Sequence, residues 1–187
     1  MKRRHFLTIL ALSPLLIGAS RTFETIDLIL DLAASREAVR ELARTVDMGS
    51  VPSIAPARGW ISSPFGPRVH PVYRRDSFHG GLDIANSRGT PVCATGGGVV
   101  VYAGSGRWYD GYGNLVIIEH SSREKGDPAD VQTLVAHLDT IFVHEGDRVV
   151  RGDLLGTMGI TGVVTGPHCH YEIRVNGIRQ NPREWIL

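Results

Sequence analysis

From Gly59 onward, apolar residues come in short runs separated by glycine turns, the pattern of a sheet. Residues 99–103, 115–119 and 132–138 read as strands, the first two buried. The segments 144–147 and 151–153 read as turns flanking Val149 and Val150. The cleanest alternation runs over 168–175. His168, His170, Glu172 and Arg174 interleave with Cys169, Tyr171, Ile173 and Val175, so one strand face is apolar and the other polar. His168 and His170 are expected side by side on the exposed face of that sheet.

Before Gly59 the pattern differs. Leu28, Leu32, Val39, Leu42 and Val46 follow a near-helical spacing, which predicts a helix within 21–50, stopped by Gly49 and Pro52. Residues 51–58 form a linker with two prolines, and residues 121–130 are expected to be an exposed hairpin loop. The expected organisation is an export signal over 1–20, the N-terminal helix over 21–50, the linker over 51–58 and one mainly antiparallel β domain over 59–187.

The first twenty residues have the composition of a signal peptide. Lys2, Arg3 and Arg4 precede an apolar run from Phe6 to Ile17, followed by Gly18, Ala19 and Ser20. Arg3 and Arg4 also fit a twin-arginine signal, and both export routes stay open. The run is shorter than the roughly 20 apolar residues of a comfortable membrane span. An exported, periplasmic or envelope-associated protein is expected, with the membrane involved only through an uncleaved signal.

Composition narrows the function. The chain has 187 residues with a formal charge of +1, which gives no argument for a nucleic-acid partner. Of two lysines, Lys2 lies in the signal and Lys125 in a polar loop, so no hairpin carries an acceptor lysine. That removes a biotinyl-type carrier domain, which residues 143–156 otherwise resemble. Cys93 and Cys169, the only cysteines, read as small buried hydrophobes.

The chemistry-bearing side chains sit in three distant segments. His79-Gly80-Gly81-Leu82-Asp83, Ala136-His137-Leu138 and Gly166-Pro167-His168-Cys169-His170 together supply four imidazoles and one carboxylate. Nitrogen and oxygen donors with one position left for water make a catalytic zinc site. His79 and Asp83 are four apart, but Gly80 and Gly81 argue against a helix, so a loop running into a strand must bring them together. They can complete a three-ligand set with one of His168 and His170, and strand geometry does not choose between the two. His137 ends an apolar run and, taken alone, reads as a core histidine.

In combination these segments are specific. Ser63-Pro64-Phe65-Gly66 with Arg68, the His79–Asp83 segment, Gly89-Thr90-Pro91-Val92 and Gly111-Tyr112-Gly113-Asn114 come first. Ala136-His137-Leu138, Thr161-Gly162 and Thr165 to Glu172 follow. In this order they resemble the lysostaphin/LytM-type zinc endopeptidases that cut peptidoglycan cross-links. The resemblance implies an antiparallel sheet with the metal in a long groove, one Zn2+ per chain and peptidoglycan peptide cross-links as substrate. It implies His79, Asp83 and His170 as ligands and His137 and His168 as the unligated catalytic histidines.

No H-E-x-x-H glutamate base is present, so an imidazole is expected to take the proton of a zinc-activated water. Either His137 or His168 fills that role while the other donates to the oxyanion. Glu172 reads either as a support for a ligand imidazole or as a solvated charge. Trp108, Tyr109 and Tyr112 could line the groove. The competing reading is an exported regulatory or wall-binding member of the same fold that activates other wall hydrolases. The complete donor set weighs against it.

Overall fold

The computed structural model describes residues 50–105, 111–121 and 130–186. The expected export signal, the expected 21–50 helix up to residue 49, Trp108, Tyr109 and most of the 121–130 loop lie outside the described residues. In chain order the elements are β1 (Trp60–Ser63), β2 (Gly66–Val69), β3 (Asp76–His79), β4 (Leu82–Ala85) and β5 (Pro91–Cys93). They continue with β6 (Gly98–Gly104), β7 (Leu115–Ser121), β8 (Asp130–Ala136), β9 (Leu138–Ile141) and β10 (Arg148–Val149). The last are β11 (Leu154–Met158), β12 (His168–Val175), β13 (Ile178–Gln180) and the single helical turn α1 (Arg183–Ile186).

The main sheet has the order β1-β4-β12-β8-β7-β6-β10, with β13 added at β12. Strands β5, β11 and β9 form a second sheet, and β2 and β3 a separate hairpin. Every pairing is antiparallel. The expected mainly β, antiparallel domain is what the chain forms.

The alternation along β12 decides which side is core. Cys169, Tyr171 and Ile173 are fully buried and join Leu82, Ile84, Val135, Leu155 and Met158 in one apolar cluster shared by the two sheets. Full burial of each large side chain contributes about 1.5–3 kcal/mol. The opposite face departs from expectation. His170 is only 7% and Glu172 only 1% exposed, because Tyr112, Arg179 and the β2–β3 hairpin close over that side of the sheet. The polar face of β12 is therefore the floor of a groove, not an open surface.

The expected strand over 132–138 breaks at His137. Its φ of 62° lies in the left-handed region, uncommon for a residue with a Cβ. There the chain leaves the main sheet at β8 and enters the second sheet at β9. Cys169 is buried as expected, but Cys93 is only half-buried, and both are free thiols.

Candidate metal centre and catalytic groove

Register places the first donors. In the β4–β12 ladder His170 stands opposite Asp83, and His79 ends β3 with only Gly80 and Gly81 between it and β4. A side chain at Gly81 would meet the His170 ring at 2.7 Å and the Tyr171 carbonyl oxygen at 2.5 Å. Only glycine leaves room for that imidazole.

Three donor atoms converge. His79 Nε2 lies 3.1 Å from Asp83 Oδ1 and 3.1 Å from His170 Nδ1, and His170 Nδ1 lies 2.7 Å from Asp83 Oδ1. Their partners settle where the protons sit. His79 Nδ1 is 2.8 Å from the Pro64 carbonyl oxygen, which can only accept, so Nδ1 donates and Nε2 keeps a lone pair. His170 Nε2 donates to Glu172 Oε1 at 3.2 Å, which leaves the Nδ1 lone pair facing Asp83. Lone pairs on three atoms about 3 Å apart repel unless a cation or proton lies among them. Their separations suit ligands roughly 2.0–2.2 Å from a shared centre. Asp83 is steered by its other oxygen, Oδ2, which accepts from Arg68 Nη1 at 3.2 Å, while the same nitrogen reaches Ser63 Oγ at 2.6 Å.

Two more imidazoles face this centre. The His137 and His168 ring centroids are 4.6 Å apart, and His168 Nε2 is 3.8 Å from Asp83 Oδ1. His137 Nδ1 donates to the Thr161 carbonyl oxygen at 2.9 Å, and His168 Nδ1 to that of Gly166 at 2.9 Å. That leaves Nε2 of each ring turned away from these carbonyls. The His137 corner is clamped by the Gly111–Asn114 segment: its N–H donates to the Tyr112 carbonyl, and Asn114 Nδ2 donates to the Leu138 carbonyl. Gly113, with φ of 63°, packs its backbone against Thr161 and Gly162, where a Cβ would come within 2.4 Å of the Thr161 carbonyl carbon.

Electrostatics follow burial and pairing. With a proton rather than a cation among these three atoms, burial opposes charge on Asp83, but its hydrogen-bonded pairing with the His170 and His79 rings outweighs burial and holds its pKa far below the usual carboxylate range. Burial likewise opposes charge on His170, yet its hydrogen bonds to Asp83 and Glu172 raise its pKa. Glu172 is buried but held ionised, with its pKa well lowered, by His170, Tyr112 and Arg174. His137 goes the other way. Burial, then the His168 and His170 rings, lowers its pKa from 6.5 to about 4, so it is neutral at neutral pH.

The groove thus gathers His79, Asp83, His137, His168 and His170. Glu172 sits under His170 as a buried carboxylate, not a solvated charge. Sequence reasoning missed the group that holds Glu172: the Tyr112 hydroxyl donates at 2.6 Å, and Arg174 Nη2 and Arg179 Nε donate at 2.6 and 3.2 Å. Arg174 shares the polar face of β12, a signal that was present. Arg179 arrives from β13, and no local pattern points to it.

Known proteins resemble this chain. Residues 77–182 match the profile of peptidase family M23. The DD-carboxypeptidase/endopeptidase Mpg of Neisseria meningitidis is 44% identical over 122 residues, covering 65% of this chain and 26% of its own. The peptidoglycan DD-endopeptidase ShyC of Vibrio cholerae is 43% identical over 124 residues, 66% of this chain and 26% of its own. The chain therefore spans about a quarter of the length of these relatives. A zinc-containing peptidase from Vibrio cholerae superposes with a TM-score of 0.60 at 34% identity, over 71% of this chain and 39% of that one. The catalytic domain of lysostaphin from Staphylococcus simulans gives 0.57 at 28% identity, over 67% and 90%.

Proposed function

The chain belongs to peptidase family M23, and from that premise we propose that it is a zinc endopeptidase cutting peptide cross-links of bacterial peptidoglycan in the cell envelope. The observation that carries this reading is the convergence of three lone-pair donors beside two unligated imidazoles on one groove floor. The 43–44% identity to relatives named as DD-endopeptidases favours DD cross-links as the bonds cut.

In this reading His79 Nε2, Asp83 Oδ1 and His170 Nδ1 hold the ion. Two nitrogens and one oxygen, with room for water, are a donor set that suits zinc. When bound, zinc acts as a Lewis acid on a carbonyl and lowers the pKa of water to about 7. The chain's own residues do the rest. His137, kept neutral by burial and with Nδ1–H fixed on Thr161, accepts a proton at Nε2. Once protonated, it can return that proton to the leaving amine. His168, 3.8 Å from Asp83, donates from Nε2 to the developing oxyanion when its ring is protonated. Arg68 and Glu172 keep Asp83 and His170 aimed, so no step waits for a side chain to turn.

The test is a parallel digestion of purified peptidoglycan and of a protein substrate, with and without chelator. Mass spectrometry should show chelator-sensitive loss of cross-linked muropeptides, with the protein intact. Intact cross-links, or cleavage of the protein alone, would overturn the reading.

A further inference from the structure

Arg179 crosses the turn that follows His79. A side chain added at Gly80 would run into its Cδ at 2.5 Å. From there Nε donates to Glu172 Oε2 at 3.2 Å, and Nη2 to the Tyr112 hydroxyl at 3.1 Å. Glu172, however, already has a counter-ion. Arg174 donates to the same oxygen through Nε at 2.9 Å and Nη2 at 2.6 Å, while Tyr112 and His170 occupy the other oxygen. One carboxylate cannot balance two guanidiniums.

Exposure decides which charge a ligand meets. The side chain of Glu172 is 1% exposed, that of Arg174 19% and that of Arg179 48%. Both Arg179 and the ligand imidazoles line the same cleft. Glu172 lines the cleft as well, but with its side chain 1% exposed against 48% for Arg179, a molecule entering it meets the cation first. Arg68 also lines this cleft, and its Nε is buried without a hydrogen-bond partner. Arg179 uses two of its nitrogens internally and keeps further N–H donors in the fork geometry that fits a carboxylate.

We propose that Arg179 anchors a carboxylate of the substrate beside the scissile bond, so that the site prefers an acidic peptide over the same peptide amidated. The proposal rests on the endopeptidase reading of this groove. A purely internal role, steadying Glu172 and through it His170, would change turnover on both peptides alike. Only their ratio separates the two roles.

The experiment compares two cross-linked peptides that differ in one carboxylate or carboxamide flanking the cut bond. Metal-loaded wild type, Arg179→Gln and Arg179→Lys are measured on both. Wild type should show kcat/KM about tenfold higher for the acid, the size of one charge-assisted hydrogen bond at a half-exposed site. Arg179→Gln should bring that ratio close to one by raising KM for the acid, with Arg179→Lys in between. No preference in wild type, or a preference unchanged in Arg179→Gln, would overturn the proposal. Calorimetric binding of both peptides to His168→Ala, with and without Arg179→Gln, gives a second readout. If wild type cleaves neither peptide, the endopeptidase reading fails. The Kd ratio then judges Arg179 by itself, and equal ratios with and without Arg179→Gln overturn its role.

Discussion

His120 on β7 and the histidines of the groove are both buried, yet the protein treats them differently. His120 is 2% exposed and has both nitrogens engaged by its own chain: Nδ1 donates to the Gly97 carbonyl at 2.8 Å, and Nε2 accepts from Thr133 Oγ1 at 2.7 Å. In the groove each imidazole is anchored by one nitrogen, on Pro64, Thr161, Gly166 or Glu172, and turns the other toward a common centre. Burial alone marks neither structure nor function. The difference lies in whether one nitrogen is left for something that is not protein.

The widest separation should come from truncating each kind. His137→Ala or His168→Ala should lower turnover by about 10²–10⁴-fold, the usual reach of a general acid or base, with stoichiometric metal retained. His120→Ala should leave turnover of the folded protein unchanged and lower stability by about 1–3 kcal/mol, because Thr133 and Gly97 lose a buried partner. Turnover, metal content and denaturant unfolding on the three variants check this. Metal loss in either groove variant would break the contrast.

pH sharpens it next. The pKa of His137 is about 4 in the folded chain against 6.5 unfolded, so the unfolded chain binds more protons between these values. The metal-free protein should hold its full His137 contribution above pH 6.5. It should lose about 3 kcal/mol from this residue as pH falls toward 4, at about 1.4 kcal/mol per pKa unit. His120, also lowered by burial, adds to the loss in the same direction. His170, whose pKa is raised, stabilises below 6.5 and loses that contribution as pH rises. Urea unfolding of wild type and His137→Asn from pH 7 to 4 isolates the His137 share, since the variant should lack this part of the slope.

The smallest effect tests the support beneath a donor. Glu172→Gln should weaken metal binding by about 10–100-fold, as loss of a partner behind a metal-ligating histidine usually does. Competition with a chelator of known affinity measures it. An unchanged affinity would place Glu172 with His120, as a structural group.

Much of this was legible in the chain. The two-residue period over 168–175 defined β12 and its apolar face, because side chains on a strand must alternate. The glycine-bounded apolar runs located β6, β7 and β8. Convergence of His79, Asp83 and His170 was not readable from local pattern, since it depends on the register of β4 against β12 across 87 residues of sequence. The closed polar face was misjudged for a related reason. Its cover comes from β13, the hairpin and the Tyr112 loop, and alternation within one strand says nothing about what lies above it. The turn of the chain at His137 also escaped a reading by runs, because a single left-handed residue leaves no apolar signature.

The β4–β12 pairing carries a safeguard. A slip of one residue would flip His170 to the opposite side of its strand and dissolve the tripod. Half-made chains, and chains paired in the wrong frame, would bring no three donors together. On the proposed reading, cutting power would appear only in molecules whose final long strand had docked correctly, which makes correct folding itself the licence to act.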